Sequence, residues 1–264
     1  MLSIRRLTAV TALACSLPLM VGGAAAQDVT PAPAQTSFDA TQTDAIETIV
    51  RSYLIEHPEV LLEALDALEA KRESAQAAAQ KAAIADAGPA LFESPEGTVL
   101  GNPEGDITVV EFFDYNCGYC KQAMQDMDAL IASDPNIRFV LKEIPVLGPQ
   151  SHEAARVSLA FREIAPTRYG EFHRQLLGSR GTADEASAIA LAKDLGVDEA
   201  ALREAMTSDA VADALQESND LATGLGINGT PSYVISRELV PGAVGLDNLT
   251  ASIANVRECG SIAC

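Results

Sequence analysis

"FFDYNCGYCKQ", residues 112–122, sets a Cys-x-x-Cys pair directly after an apolar run. That run, "DITVVEFFDY" (106–115), is β-branched and aromatic, the composition of a strand. The stretch after it, "CGYCKQAMQDMDALIASDP" (117–135), carries Ala123, Met127, Leu130 and Ile131 at helical spacing. Cys117 therefore falls at a helix N-terminus, where free N–H groups and the macrodipole favour a thiolate. Cys120 follows one turn later, near enough to attack a mixed disulfide and release its partner. Gly118 and Tyr119 between them add no charge.

Working outward, "NIRFVLKEIPVLG" (136–148) reads as a second strand. Strand, helix and strand in close order predict a βαβ unit with a right-handed crossover. Residues of about 150–224 are helical in pattern, punctuated by Pro166, Gly178 to Gly181 and Gly196. "EAALREAMTSDAVADALQESNDLATGLG" (199–226) reads as a single helical stretch. "TPSYVIS" (230–236) and "RELVPGAV" (237–244) predict a hairpin, and a last helix runs from about 246 to 257. The class is α/β, with a helical insertion between βαβ and ββα halves in a domain of residues 89–264.

The N-terminus opens on Arg5 and Arg6, an apolar stretch, and small residues up to Ala26. This is the pattern of a cleavable secretory signal peptide, residues 1–26. Residues 27–43 are rich in Pro, Ala and Thr and read as a flexible leader. Residues 44–88 then carry two helical patterns. Ile46, Ile49, Val50, Tyr53 and Leu54 share one face, and Leu61, Leu65 and Leu68 form a stripe on the second. Such a stripe has to pack on something, either the catalytic domain of the same chain or another subunit. Gly88 to Gly105 is turn-rich around a short strand at 98–100.

With a formal charge of −19, the chain is repelled by nucleic acid and by anionic membranes. Four cysteines follow the signal segment: Cys117, Cys120, Cys259 and Cys264. An even number in an exported chain suits an oxidising compartment, the periplasm. Cys259 and Cys264 predict a tail-closing disulfide. For the Cys117–Cys120 pair, a structural staple closing so small a loop stabilises little. A zinc site would ask for more sulfur or imidazole than the three histidines readily supply. No cofactor and no metal is expected in the leading reading. Its alternative is a Cu(I)-binding copper-tolerance protein that uses the same thiolates.

The segments "VVEFFDYNCGYC" and "GTPSYVI", with the strand order and the helical insertion, resemble the DsbA-like thiol–disulfide oxidoreductases of the thioredoxin superfamily over residues 90–258. The leading "YLIEHPEVLLEALDALE" extends the resemblance to ScsC- and Com1-like proteins, bacterial copper-sensitivity suppressors among them. The resemblance implies that Cys117 is the nucleophile and Cys120 the resolving thiol. It also implies that Thr230 and a cis Pro231 face them. It further implies that Glu111 is a buried acid able to take the proton of the resolving thiol, with Lys142 as its partner. On the residues alone, Glu111 could equally be a strand-edge carboxylate facing water, and Pro231 an ordinary turn proline. Gly-Tyr between the cysteines and Thr before Pro231 resemble the isomerase combination, whereas strongly oxidising members carry Pro-His and Val. The implied partners are unfolded or misoxidised exported proteins, a membrane redox protein that resets the dithiol, and further copies of the chain in a homo-oligomer, a trimer.

Overall fold

A computed structural model describes residues 38–264. The expected signal peptide (1–26) and residues 27–37 of the expected leader lie outside the described residues. The chain divides at Leu62 and Glu63 into two units.

The described part of the first unit is dominated by α1 (Ala40–Glu56). Helix begins four residues ahead of the expected 44, because Asp39 and Gln42 form a capping box. No residue of α1 is buried; Ile49, Val50 and Tyr53 are exposed. Helix α2 (Glu59–Ala87) follows Pro58 and runs on into the second unit. Its Leu65 and Leu68 are exposed, but at its far end Ile84 is 2% exposed, inside a core cluster.

In the second unit, α3 (Pro89–Phe92) is a short helix where turns were expected, started by Pro89 at its first position. A five-stranded sheet is built from β1 (Leu100–Gly101), β2 (Ile107–Phe113), β3 (Ile137–Glu143), β4 (Ser232–Ile235) and β5 (Glu238–Pro241). The strand order is β1-β3-β2-β4-β5. Only β2 and β3 run parallel, joined through α4 (Gly118–Ser133) as the βαβ pattern requires; the remaining pairs are antiparallel.

Side chains alternate across β2 and β3, so each strand feeds two cores. Val109, Phe113, Phe139 and Leu141 face the larger one, together with α4 residues and α10 (Leu246–Cys259). Val110, Phe112 and Val140 face the other, with Ile84, Leu91 and the end of α9 (Asp209–Gly224). Both faces of the sheet are thus covered, which is why these strands read as near-continuous apolar runs. Each fully buried Phe or Leu contributes roughly 1.5–3 kcal/mol.

The insertion comprises α5 (Pro149–Ile164), a single 3-10 turn at Pro166–Arg168, α6 (Tyr169–Leu177), α7 (Glu185–Asp194), α8 (Glu199–Ala205) and α9. The expected single helix over 199–226 is two, because Ser208 turns its side chain to the Val211 N–H and starts α9 afresh. Cys259 and Cys264 form a disulfide that closes the tail beyond α10. No helix among the described residues is long and apolar enough to cross a membrane.

Candidate active site

The turn Asp114–Cys117 ends β2 and launches α4. The Cys117 N–H donates to the Asp114 carbonyl at 3.0 Å, and Cys117 itself caps the helix with extended backbone angles. Its side chain makes no capping hydrogen bond, but as N-cap it lies at the positive end of α4, and the N–H groups of Tyr119 and Cys120 stabilise its ionised sulfur. Cys117 keeps 6% of its surface open and Cys120 none; both are free thiols. From the far side of the sheet sequence, the loop before β4 closes on them. The Cys117 thiol donates to the Thr230 carbonyl at 3.2 Å, and the Thr230–Pro231 peptide is cis. Four of the five expected site residues are therefore one cluster.

The two thiols are held in opposite states. Cys117 is brought down to about 5. The hydrogen bond from the Cys120 thiol contributes most; the Thr230 side chain and the N–H groups of Cys120 and Tyr119 add to it, against the cost of burial. Cys120 is pushed far up by its bond to Cys117 and by burial. A pair in this state supplies one thiolate that attacks and one thiol that waits.

Glu111, the fifth expected residue, is 2% exposed, so it does not face water. It lies on the cysteine side of β2 opposite Tyr233, and has no hydrogen-bond partner among the described residues. Burial, then the negative charges of Cys117 and Asp126, raise its carboxyl to about 8. It stands within electrostatic reach of Cys120.

Lys142 is not its partner. The β2–β3 register sets Phe112 beside Lys142 and Glu111 beside Leu141, so alternation turns Lys142 to the opposite face of the sheet. There its ammonium donates to the Ala90 carbonyl at 2.7 Å and to Glu217 at 2.8 Å. Sequence spacing alone could not reveal this, since a one-residue shift in register moves every side chain to the other face.

The residue reading missed the fastening of the Cys117 turn. The Asp114 carboxylate accepts from the N–H groups of Asn116, Val146 and Leu147 and from the Ser151 hydroxyl. Asn116 in turn exchanges hydrogen bonds with the backbone of Ala183. The local half of this, an Asx turn ahead of a helix, was legible in "DYN" (114–116). The distant half was not. Around the dithiol, Tyr119 is 68% exposed, and Val146 and Leu147, tied to Asp114 through their backbones, are exposed as well.

A poised thiolate, a buried thiol one turn further on and a cis-proline loop on a thioredoxin-like fold are the equipment of thiol–disulfide exchange. A family model described as a DSBA-like thioredoxin domain matches residues 108–254, and one described as the copper resistance protein ScsC N-terminal domain matches residues 42–75. The chain belongs to the DSBA-like thioredoxin family, whose members are thiol–disulfide oxidoreductases. A thioredoxin-like oxidoreductase from Silicibacter pomeroyi is 43% identical with a TM-score of 0.61, covering 65% of this chain and 98% of that one. A linker-deletion variant of Proteus mirabilis ScsC is 26% identical with a TM-score of 0.63, covering 85% and 99%. The Na(+)/H(+) antiporter NhaA 1 of Salinispora arenicola is 28% identical over 159 residues, 60% of this chain and 24% of that protein. The chain thus spans about a quarter of the length of this curated relative.

Proposed function

We propose that the chain works in the periplasm, rearranging or reducing wrong disulfides in exported proteins. Cys117 attacks as a thiolate, the client's sulfur leaves, and Cys120 displaces the client from the mixed disulfide while Glu111, relieved of the Cys117 charge that helps keep it protonated, takes the Cys120 proton in its ionised form. The observation that carries this is the Cys117 sulfur at the head of α4, 3.2 Å from Thr230 and held near pKa 5. A membrane redox partner then reduces the Cys117–Cys120 disulfide. Gly118 and Tyr119, with Thr230 ahead of the cis proline, favour rearrangement over insertion of disulfides, because these residues set thiolate stability and hence potential.

The exposed apolar stripes of α1 and α2 support self-association, since a symmetric partner would bury them. A trimer would place several dithiols near one misfolded client and raise their effective concentration. Reactivation of scrambled ribonuclease, run beside insulin reduction, tests the proposal. Activity in the first without dependence on Cys117 would sink it.

The name of the N-terminal family model keeps one competitor in view, a Cu(I) carrier built on the same thiolates. Tight Cu(I) binding by a chain inactive in both assays would favour that reading.

A further inference from the structure

A third buried carboxylate, Glu143, ends β3, and the exchange mechanism leaves it without a task. It is 2% exposed and lies on the cysteine side of the sheet, beside Phe113 in register. Its Oε1 accepts from the Ser158 hydroxyl at 2.8 Å and from the Tyr169 hydroxyl at 3.0 Å, while its Oε2 is buried without a partner. Ser158 is also 2.7 Å from the Tyr115 hydroxyl. With Ser158 giving its proton to Glu143, the Tyr115 hydroxyl is the donor to Ser158. The chain thus runs Tyr115 to Ser158 to Glu143.

Tyr115 is an inner residue of the turn that presents Cys117. Its ring meets Phe113 edge-on at 5.0 Å, so ring contact and hydroxyl bond together fix where that turn sits. Ser151 and Ser158 lie seven residues apart, on one face of α5. The first bonds Asp114 and the second bonds Tyr115, so this face grips two consecutive residues of the turn.

Resting on the exchange function above, we propose that Glu143 is a positioning residue of the redox site. Through Ser158 it holds the Tyr115 hydroxyl, and so the Asp114–Cys117 turn, in the geometry that aims the α4 N–H groups at the Cys117 sulfur. It acts as an acceptor through Oε1, not as a charge. A buried carboxylate with one bare oxygen costs more than an acid protonated on Oε2, whose unpaired O–H is at least uncharged. Burial, with the Asp114 charge and against the Arg162 charge and the bonds from Ser158 and Tyr169, raises the carboxyl to about 7, in the direction of the protonated form.

The test uses the full mature chain and reads two quantities: the Cys117 thiolate pKa from ultraviolet absorbance, and the equilibrium constant of the dithiol with glutathione. Tyr115→Phe, which removes only the hydroxyl, and Glu143→Ala should each raise the thiolate pKa by at least half a unit. That corresponds to about a threefold loss of thiolate stabilisation. Each should make the disulfide correspondingly less oxidising, and the double variant should exceed neither single one. Glu143→Gln keeps Oε1 as an acceptor and should restore both quantities, even if melting temperature falls. Unchanged pKa and equilibrium in Tyr115→Phe and Glu143→Ala would overturn the proposal and leave Glu143 a packing residue. So would a Glu143→Gln variant as altered as Glu143→Ala. Failure of the wild-type chain to exchange with glutathione at all would instead overturn the function proposed for the dithiol.

Discussion

The Cys117 sulfur and the Thr230 carbonyl oxygen, separated by 113 residues of chain, lie 3.2 Å apart. While Cys117 is a thiol, that carbonyl has its donor. Under the proposed function, once Cys117 is a thiolate or joined to a client the carbonyl would be released to accept a backbone N–H from an extended client segment. The Thr230 side chain meanwhile stabilises the thiolate. Thr230→Val should therefore raise the Cys117 pKa and slow iodoacetamide labelling at pH 6 by several fold, as read by mass spectrometry. An unchanged rate would detach the loop from the chemistry.

The low pKa of Cys117 has a consequence for stability. Its folded value is about 5, against ~8.5 for a free cysteine, so folding favours the ionised form. Stability from this source is full above pH ~8.5 and is lost as pH falls towards 5. The disulfide form has no thiolate and lacks the term. Denaturant unfolding of the two forms should show the reduced chain gaining on the oxidised one as pH rises from 5 to 8. Parallel pH profiles would mean the thiolate is not stabilised by the fold.

Glu111 carries the opposite sign. Its carboxyl at about 8 keeps a proton that the unfolded chain releases near ~4.3, so its burial costs more stability as pH rises between those values. Glu111→Gln should raise the melting temperature at pH 8, with the gain shrinking towards pH 4. If Glu111 accepts the Cys120 proton, the same variant should slow release of a Cys117 mixed disulfide by about 10²-fold. Normal release would leave Glu111 a buried acid without that role.

Lys142→Met separates the register finding from the expected ion pair. Losing the bonds to Ala90 and Glu217 should cost about 1–2 kcal/mol, because half-exposed Glu217 can rehydrate. Cys117 labelling should change by less than about twofold, since Lys142 faces away from the cysteines. A large change in labelling would reinstate the lysine as part of the site.

What was legible in the sequence was local. Cys117 after a strand and ahead of a helix, Pro231 ahead of another strand, and the order of elements all follow from patterns a few residues long. The α1 start at Asp39 and Gln42 was legible too, as a capping box, but its polar surroundings masked it. Lys142 was misassigned because its face depends on strand register, which no local pattern specifies. Glu143, Ser158 and Tyr115 were invisible for a related reason: each is unremarkable in its own segment, and only the packing of α5 against the turn brings them together.

The exposed stripes give a prediction for the N-terminal helices. Tyr53→Glu with Leu65→Glu, on residues the fold leaves uncovered, should leave the folded domain intact. Light scattering should then report a monomer where the unmodified mature chain is an oligomer, with insulin reduction kept and reactivation of scrambled ribonuclease reduced. A monomeric unmodified chain would remove the oligomer from the account.

The most direct measurement is covalent trapping. The chain carrying Cys120→Ser lacks the thiol proposed to resolve a mixed disulfide, while Cys117 keeps its place at the head of α4. Expressed behind an export signal in a bacterial host and recovered under acid quench, it should carry exported proteins joined to Cys117. These adducts should release on reduction and be absent from a Cys117→Ser control. Recovery of the variant free of adducts, from a host whose exported proteins contain disulfides, would contradict disulfide exchange through Cys117.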